Sequence, residues 1–542
     1  MNIRNLYSLL FLIAISLLFS VCRKQPKYTN GNSFVHVSGT KIVDANNQSV
    51  RLQGIAFGNE VWSDKELPYT DHGEIDYSRV KEMGMNTIRF YMNYKTFESD
   101  VAPYQYKESG WIWIDQNITW AKKYGIYLIL NLHVPQGGFQ SQGNSDALWT
   151  NIENQNRLTA LWKGIANRYK DETQIIGYGL VNEPIPTNDI SQWQQLAQRI
   201  RDEIRTVDKN HILFIERANA VKGKNETADY NFPAINDNNT AYEFHVYAPF
   251  TYTHQLFNWA NPGDGGKYPD ESNIIATGSL QWYTATFNNP SIPAGNNNWQ
   301  YFEGVKYKIT DANIKAGVPA LVATNVNGRV YYDDIEIKEY DANGNFSQII
   351  STIPLSALDE WSFWSRNNSG NGGAATNTGT SNNTSIYIEA ATDDCNFSNY
   401  NKVFVPKQGY YYQINGWMKG ENVTATASCK LRLDFFNSNS PILSRNKAYL
   451  DFLLKKFADW GRSKNVPMYM GEFGAGIHCF ENNKGGVQWV NDMIDISNAN
   501  NIYFTYHDYH EDNFGVYLGY GSLPDPTQVN QALIDLFKQK LK

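Results

Sequence analysis

Hydrophobic and polar positions follow two periodicities along the chain from residue 34 onward. Short apolar runs that end in polar residues predict strands, and longer stretches with apolar positions three or four apart predict helices. The predicted strands are 35–43, 50–57, 86–91, 126–133, 175–182, 211–216, 240–247, 467–472 and 501–507. The predicted helices are 76–83, 115–124, 151–169, 190–207, 449–463, 486–497 and 527–541.

The alternation of strands with helices predicts an α/β fold. Repeated βα units with eight strands, counted from 50–57, favour a closed (β/α)8 TIM barrel, whose active site lies at the carboxyl ends of the strands. An open, doubly wound sheet is the structural alternative. It is disfavoured because no glycine-rich phosphate loop follows the first strand.

One segment, 276–440, departs from this rhythm. It is rich in Asn, Gly, Ser and Thr, has short β-like runs and contains a low-complexity loop at 367–385. Short strands with frequent turns are typical of an antiparallel sandwich. We therefore expect an all-β sandwich inserted after the sixth strand of a barrel that comprises residues 34–275 and 441–542.

The amino terminus carries an export pattern. A charged start precedes the apolar run 6–19, and Cys22 follows it, before a basic pair. We expect residues 1–22 to be an export signal and 23–33 a linker. The pattern resembles a bacterial lipoprotein signal, which implies lipidation of Cys22, a membrane tether and a cell-surface, secreted or periplasmic location. A simple secretory signal is the alternative.

Composition narrows the function classes. The chain has 542 residues, of which 42% are hydrophobic, so general disorder is excluded. Four cysteines cannot build a disulfide scaffold over this length, and a net charge of −7 argues against a nucleic-acid partner. Aromatic residues make up 14% of the chain, a proportion that suits stacking on flat ligands as well as core packing.

Two glutamates are candidates for chemistry. Glu183 follows the apolar run of the fourth strand, and Glu472 follows that of the seventh. They are far apart in sequence, but each βα unit needs only roughly 30–40 residues. Once 276–440 is removed, the remaining spacing fits three such units. Both carboxyl groups are therefore expected at the same end of the barrel.

The motifs around these glutamates resemble the cellulase-type glycoside hydrolase family 5, of barrel clan A. The matching segments are Asn182-Glu183-Pro184, the strand-two segment ending in Arg89, the strand-three segment ending in His133, and His245-Val246-Tyr247. The resemblance implies that Glu183 is the acid/base, that Glu472 is the nucleophile, and that Arg89, His133, Asn182, His245 and Tyr247 support them or line the cleft.

This resemblance implies retaining hydrolysis of a β-linked glycan. Such enzymes hold two carboxyl groups about 5–5.5 Å apart, one protonated and one ionised. Arg89 and the Tyr247 hydroxyl would stabilise the ionised form of Glu472. Each residue also has a structural alternative: a strand-end carboxylate for the glutamates, a stabilising ion pair for Arg89, and core packing for His133, His245 and Tyr247.

One departure concerns strand eight, where the family usually places a Trp as a floor for the sugar. Here the segment contains Tyr506 and His507 and no Trp, so either residue is a candidate substitute. Trp62, Trp149 and Trp259 fall in predicted loops, where stacking on sugars and packing are equally open.

The insert resembles the carbohydrate-binding β-sandwich modules found beside polysaccharide hydrolases. Segments 330–337 and 412–420 carry the likeness. Its aromatics are candidates for a sugar platform or for the core: Trp282, Tyr283, Trp299, Trp361 and Trp364. A bridge between Cys395 and Cys429 is left open, and Cys479 is expected to be a buried free thiol.

No cofactor is expected for catalysis, because no predicted helix carries His at metal-ligand spacing. A structural calcium in the sandwich is compatible with the sequence, but no motif supports it. The leading hypothesis is an exported monomer that hydrolyses a glucan or mannan type polysaccharide or oligosaccharide. A weakly active surface glycan-binding protein and a transglycosylase on the same scaffold are the alternatives.

Overall fold

The computed structural model describes residues 34–63, 66–68, 71–143, 145–224, 231–355, 360–381 and 384–542. Cys22, the export signal and the linker lie outside the described residues. The chain divides into two compact units. The first contains the described residues up to Tyr247 together with Phe457–Ile477 and Ser497–Lys542, and the second contains Ala248–Lys456 and His478–Ile496.

Strands and helices alternate from residue 34 to Tyr247. The strands are β1 His36–Ser38, β2 Lys41–Val43, β3 Gln53–Phe57, β4 Thr87–Asn93, β5 Tyr127–Val134, β6 Ile175–Gly179, β7 Ile212–Glu216 and β8 Thr240–Val246. The helices are α1 Glu74–Glu82, α2 Glu108–Tyr124, α3 Ala147–Thr150, α4 Ile152–Tyr169 and α5 Ile190–Arg205.

The rest of the chain begins with a short helix, continues with a long run of strands and ends with helices and strands in alternation. It contains α6 Phe250–Thr253, β9 Asp270–Ala276, β10 Leu280–Ala285, β11 Gln300–Glu303, β12 Tyr307–Lys308, β13 Ala316–Thr324, β14 Arg329–Tyr340, β15 Phe346–Ile353, β16 Ser362–Ser365, β17 Asn371–Thr376, β18 Thr384–Glu389, β19 Cys395–Ser398, β20 Tyr411–Glu421, β21 Ser428–Ser438 and β22 Ile442–Arg445. After these come α7 Lys447–Lys464, β23 Met468–Phe473, α8 Gly486–Ala499, β24 Tyr503–Tyr506 and α9 Gln531–Leu541.

Eight parallel strands close into a barrel in the order β3-β4-β5-β6-β7-β8-β23-β24. The predicted TIM-barrel class is therefore confirmed, and the open sheet is excluded. Strands β4, β6 and β7 are buried along their whole length, as parallel strands covered by helices must be. β1 and β2 pair with each other outside the barrel, because Gly39 turns the predicted strand 35–43 back on itself.

Two tryptophans of the helix layer hold the carboxyl ends of barrel strands. Trp162 of α4 donates its indole N–H to the carbonyl of Leu180 at 2.9 Å, just past the end of β6. Trp193 of α5 donates to the carbonyl of Glu216 at 2.8 Å, at the last residue of β7. Both indoles are fully buried, so these bonds form where water does not compete.

Antiparallel sheets lie in sequence between β8 and β23. Five strands form the order β10-β21-β13-β19-β16, and a second sheet of seven strands is built on β11-β20-β14-β18-β17, with β12 and β15 added at its sides. A buried apolar cluster draws residues from both sheets, among them Leu321, Phe397 and Leu431 from the first and Tyr332, Ile388 and Met418 from the second. The two sheets therefore form a sandwich whose strands β10 to β21 fall inside the predicted insert.

The low-complexity segment 367–385 is not a loop throughout. Residues Asn371–Thr376 form β17, which pairs with β18. A Cβ on Gly372 would lie 2.6 Å from the ring of Phe397 and 2.7 Å from that of Phe363, so this position needs a residue without a side chain. The expectation of a loop is wrong here because packing against aromatic rings overrides the low strand propensity of glycine.

Cys395, Cys429 and Cys479 are all buried, and none of them forms a disulfide. Both Cys395 and Cys429 lie opposite Ala323, one on each side of β13. They are thus two strands apart, about 9.6 Å, which exceeds the span of about 4.4–6.8 Å that a disulfide bridges. Within the described residues, no helix is long and apolar enough to cross a membrane.

Candidate active site

Polar side chains converge at the carboxyl ends of the barrel strands. Strand pairing places Glu216 opposite Glu243 and His245 opposite Glu472 on the adjacent strands β7, β8 and β23. Since alternate residues of a strand share a face, Glu243, His245 and Tyr247 point the same way, and so do Arg89 and Tyr91 on β4. The site is therefore built by the strand register.

Glu472 is buried and accepts three short hydrogen bonds. Arg89 Nη1 and the hydroxyl of Tyr91 each lie 2.7 Å from its Oε1, and the hydroxyl of Tyr247 donates to its Oε2 at 2.8 Å. Burial by itself raises the pKa of Glu472, but His245, His507 and Arg89 outweigh burial and hold the pKa well below its usual value. The carboxyl group is thus ionised at neutral pH.

Glu183 follows β6 and faces His245 across the site. Its Oε1 lies 3.0 Å from His245 Nδ1, and its side chain is 16% exposed, so one edge of the carboxyl group reaches solvent. Its backbone has a φ of 41°, in the left-handed region that costs a residue with a Cβ about 1–2 kcal/mol. The chain accepts this strain at the turn that directs Glu183 into the site.

The two glutamates approach each other closely. One carboxylate oxygen of each, together with one nitrogen of His245, lie within 4.8 Å of one another. Their surroundings differ: Glu472 is held by a cation and two phenols, whereas Glu183 has His245 beside it and partial access to water. Such a pair can divide acid and nucleophile roles between its members.

Arg89 is fully buried and lies at the centre of the site. Besides Glu472, its guanidinium contacts Glu243 Oε1 at 2.7 Å and Asn182 Oδ1 at 2.9 Å. Burial alone lowers the pKa of Arg89, but the carboxylates of Glu243, Glu472 and Glu216 together with Tyr91 raise it well above its usual value. Arg89 therefore stays charged, and it fixes the amide of Asn182 beside the acid.

His133 and His245 differ in charge. Burial holds the pKa of His133 well below its usual value, and its ring stacks on Tyr91 at 4.0 Å and on Phe139 at 5.6 Å. Burial would also lower the pKa of His245, but Glu216, Glu472 and the hydrogen bond to Glu183 raise it well above its usual value. His133 is thus a neutral ring that lines the site, and His245 is a positively charged imidazolium.

Of the two strand-eight candidates, His507 reaches the site. Its Nδ1 is 3.1 Å from the Tyr91 hydroxyl, and its ring lies nearly parallel to that of Tyr91. Tyr506 does not line the site: its fully buried ring packs against Phe473 and Phe537 of α9, and its hydroxyl donates to the carbonyl of Ala475. Consecutive strand residues point to opposite faces, so only one of the two can face the cleft.

A cavity of about 700 Å³ opens beside the site. Residues that follow β3, β4 and β5 line it, including Trp62, Tyr94 and Phe139. Trp62 is 45% exposed there. Trp149, in contrast, is buried against Trp193 and donates to Gln140, so its role is packing. Because Phe139 stacks on His133, a run of rings connects this cavity to Tyr91 and hence to Glu472.

The site contains three residues that the sequence motifs did not indicate: Tyr91, Glu216 and Glu243. Each had a usable signal, since Tyr91 and Glu243 lie two positions from Arg89 and His245 on the same strand face, and Glu216 ends its strand. Gly471 belongs with them, because a Cβ there would lie 1.8 Å from Glu243 Oε1. Only glycine fits between Glu243 and the strand that bears Glu472.

A positive charge, the guanidinium of Arg89, already lies among these carboxylates. Two groups of three, Glu183 with His245 and Glu472, and Glu216 with Glu243 and His245, bring one atom per residue within 4.8 Å, a spacing that suits a cation. Arg89 already contacts Glu243 and Glu472 at 2.7 Å and Glu216 at 3.5 Å. That catalysis needs no metal stays a prediction.

Comparison with known proteins adds the family. The model of Cellulase (glycosyl hydrolase family 5) matches residues 43–309, a range that ends before Glu472. Beta-xylosidase of Phanerodontia chrysosporium is 30% identical over 260 residues, which cover 40% of this chain and 52% of that protein. Endoglucanase C of Acetivibrio thermocellus is 31% identical over 187 residues, which cover 34% of this chain and 53% of that protein.

Among solved structures, endoglucanase Cel5A of Thermotoga maritima aligns with a TM-score of 0.47 and 15% identity over 90% of this chain and 96% of that one. The chain spans about half the length of the two curated relatives described above.

Proposed function

Because the chain belongs to glycosyl hydrolase family 5, we propose that it hydrolyses β-glycosidic bonds with retention of configuration, by double displacement. The observation that carries this proposal is the approach of Glu183 and Glu472, whose carboxylate oxygens come within 4.8 Å. Retaining enzymes separate their carboxyl groups by about 5–5.5 Å, whereas inverting enzymes need about 6.5–9.5 Å to admit a water.

In the first step Glu472 attacks the anomeric carbon while Glu183 protonates the departing glycosidic oxygen. The C–O bond breaks, the aglycone leaves as an alcohol, and a glycosyl-enzyme ester forms on Glu472. Arg89, Tyr91 and Tyr247 keep Glu472 ionised and oriented before the attack. In the second step Glu183, now a carboxylate, takes a proton from water, and the resulting hydroxide displaces Glu472.

The test is chemical rescue of a nucleophile variant. Glu472→Ala is expected to lose nearly all turnover on an activated aryl β-glycoside. Sodium azide should restore part of it and yield a glycosyl azide of inverted configuration, detectable by NMR. Rescue that instead follows Glu183→Ala and gives the inverted azide would contradict the assignment of roles, and full activity of Glu472→Ala would refute the mechanism.

The proposed substrate is a β-linked glucan or mannan, as polysaccharide or oligosaccharide. Two relatives bear the names endoglucanase and β-xylosidase, so the panel for product analysis should include glucans, mannans and xylans. Glycone sugars would occupy the cavity beside His133, where Trp62 offers a stacking surface. Products longer than the starting oligosaccharide would favour transglycosylation over hydrolysis.

We also propose that the sandwich binds glycan, through the face of its seven-stranded sheet that points away from the core. Tyr332, Ile388 and Met418 are core residues, so their neighbours Tyr387 and Trp417, which are half-buried, point outward. Tyr331 has the same orientation but is only 4% exposed. On this face Trp417 packs against Tyr301 at 5.6 Å, and Tyr331 lies 6.3 Å from Tyr387. Aromatic rings flanked by polar groups are the surface that sugars stack on.

The aromatic residues of the insert that the sequence suggested for a sugar platform or for the core differ in burial. Trp361 is buried in the core, so of the two alternatives left open for it the structure supports core packing. Trp299 is half-buried, with its indole bonded to the carbonyl of Thr378, and lies 6.4 Å from Tyr331. Trp282 and Trp364 are about half exposed on strands of the five-stranded sheet.

Binding is tested in a chain that cannot turn over. In a Glu183→Gln/Glu472→Gln background, Trp417→Ala is expected to weaken affinity for a soluble β-glucan about 5–10-fold in calorimetry, the value of one lost stacking contact. Trp282→Ala is the matched control, an exposed tryptophan on the other sheet. Equal losses in both, or none in either, would contradict the assignment of this face.

Localisation is part of the proposal. We propose export, with lipidation of Cys22 and a membrane tether, on the basis of the charged start, the apolar run and the cysteine that follows it. Labelling of the full chain in its native cell with a radioactive fatty acid tests this. Cys22→Ala should abolish the label, and persistence of the label would refute the assignment.

A further inference from the structure

The last residue of β7, Glu216, has no role in the steps described above. Its side chain is buried, and its Oε1 lies 3.4 Å from His245 Nε2. The other ring nitrogen of His245, Nδ1, lies 3.0 Å from Glu183 Oε1. One imidazole therefore has a carboxyl group at each nitrogen: the acid/base on one side and Glu216 on the other.

Charges face His245 from every neighbouring strand. Besides Glu216 and Glu183, these are Glu472 Oε2 at 3.5 Å from Nδ1, Glu243 Oε1 at 3.5 Å from Nε2 and Arg89 Nη2 at 3.4 Å from Nε2. His133 on β5 also interacts electrostatically with His245. With Glu183 protonated for its task, three carboxylates remain against the single fixed charge of Arg89, so the site favours additional protons.

Of the three carboxylates around Arg89, that of Glu216 lies farthest from the guanidinium. Arg89 contacts Glu243 and Glu472 at 2.7 Å but approaches Glu216 Oε2 only to 3.5 Å, and this oxygen accepts no hydrogen bond from any described residue. Burial raises the pKa of Glu216 well above its usual value, and Glu243 adds to the rise. A proton placed near Glu216 and Nε2 is therefore held firmly.

We propose that Glu216 is a positioning residue that shares one proton with His245 Nε2 and thereby keeps Nδ1–H aimed at Glu183. In either distribution of the shared proton, Nδ1 retains its own hydrogen and donates to Glu183. When Glu183 gives its proton to the leaving oxygen, this donor stabilises the carboxylate that remains. No proton is consumed, since the shared proton moves only between Oε1 of Glu216 and Nε2.

The proposal predicts the direction in which Glu216→Gln shifts the pH profile of kcat/KM. This prediction rests on the proposed function. With Glu216 ionised, His245 is a cation beside Glu472 and lowers the pKa of that carboxyl group. Glu216→Gln removes the carboxylate that keeps the imidazole charged, so the pKa of Glu472 rises. The acidic limb of the pH profile of kcat/KM should then move to higher pH, by roughly one unit.

The state of His245 can be measured without turnover. In the full chain labelled with 15N-histidine, the signal lost in His245→Gln identifies the residue. In the unsubstituted protein, its ring nitrogens should retain the imidazolium signature well above the ordinary titration range. In Glu216→Gln the transition to neutral imidazole should occur at lower pH by roughly one unit or more. An unchanged titration would overturn the proposal.

The chain supplies a matched control just before the other end of β7. Asp208 and His211 form a second buried carboxylate–imidazole pair, 2.6 Å apart, just before the opposite end of β7. Asp208→Asn should leave the His245 titration and the acidic kinetic limb in place. Glu216→Asp should move the titration by less than Glu216→Gln, which keeps the test valid if Gln impairs folding.

Inactivity of the unsubstituted protein on every glycan would refute the proposed function while the NMR result still decides the role of Glu216.

Discussion

Each unit contains a buried glutamate that accepts hydrogen bonds from a cationic side chain and from tyrosine. The two glutamates differ in the other groups that surround them. In the sandwich, Glu339 accepts from the Tyr412 hydroxyl at 2.7 Å and from Lys407 at 2.9 Å, and these groups lower its pKa although burial raises it. Glu472 in the barrel is held by Arg89, Tyr91 and Tyr247. A buried, ionised glutamate is thus a feature of both units.

The difference between them is the second carboxyl group. The remaining hydrogen-bond donors to Glu339 are Ser347 and Gln348, which complete a structural network. Glu472 has Glu183 within 4.8 Å, in a setting that is partly open to water. Two carboxyl groups in unlike environments, rather than one depressed pKa, identify chemistry here.

The largest expected effect separates these glutamates. Glu472→Gln should reduce kcat on an aryl β-glycoside by about 10⁴-fold or more, because it removes the attacking group. Glu339→Gln should leave kcat unchanged, since its carboxylate has only structural partners. Both are measured by initial rates on folded protein. Loss of turnover in Glu339→Gln alone would reverse the comparison.

The tyrosine partners give the next effect. Tyr247→Phe removes a hydrogen bond to ionised Glu472, worth about 1.5–3 kcal/mol, so kcat/KM should fall about 10–100-fold. The pKa of Glu472 should rise, and because activity is lost as pH falls through that pKa, the acidic limb should move upward.

Tyr412→Phe is the control for the sandwich. It should lower the free energy of unfolding by a similar amount and leave the pH profile of kcat/KM unchanged. A shifted acidic limb in Tyr412→Phe would show that the comparison is wrong.

The pH dependence of the stability of the sandwich further tests the comparison of Glu339 with Glu472. The folded pKa of Glu339 is depressed, so its contribution to stability is present above the unfolded pKa of about 4.3 and is lost as pH falls through the folded value. Glu339→Gln should therefore lose about 1–3 kcal/mol of unfolding free energy at neutral pH and little at pH 3. Urea unfolding at both pH values measures this, and an equal loss at both would argue against an ionised Glu339.

The smallest expected effect concerns the cysteines. Cys395 and Cys429 are free thiols on opposite sides of β13, so a reducing agent should not change the Tm of either unit. Differential scanning calorimetry with and without dithiothreitol checks this. A lower Tm under reducing conditions would mean that a bridge forms in solution.

The barrel could be predicted because its signals are local. Apolar runs ending in polar residues located all eight barrel strands, although the ends shifted by a few residues, and helix α2 begins seven positions before the prediction. The motif residues Arg89, Asn182, Glu183, His245 and Glu472 meet as the resemblance implied. Strand register explains this, since all of them except Arg89, the third residue of β4, lie at or just past the carboxyl end of a strand.

Features that depend on long-range packing could not be predicted. Sequence left Tyr506 and His507 as equal candidates because the side-chain direction at the end of β24 depends on how the strand leaves the barrel. The strand at Asn371–Thr376 packs against aromatic rings of the other sheet, which come so close that only glycine fits at Gly372. Glu216 was passed over because its partner His245 is contributed by another strand.

The indole of Trp193 links the outer helix layer to the electrostatics of the site. It fixes the carbonyl of Glu216, and the side chain of that same residue faces His245. A substitution in α5 that displaces this indole would change the spacing between the two groups. Substitutions in α5 can therefore change the pH dependence of the proposed reaction without changing any residue of the site.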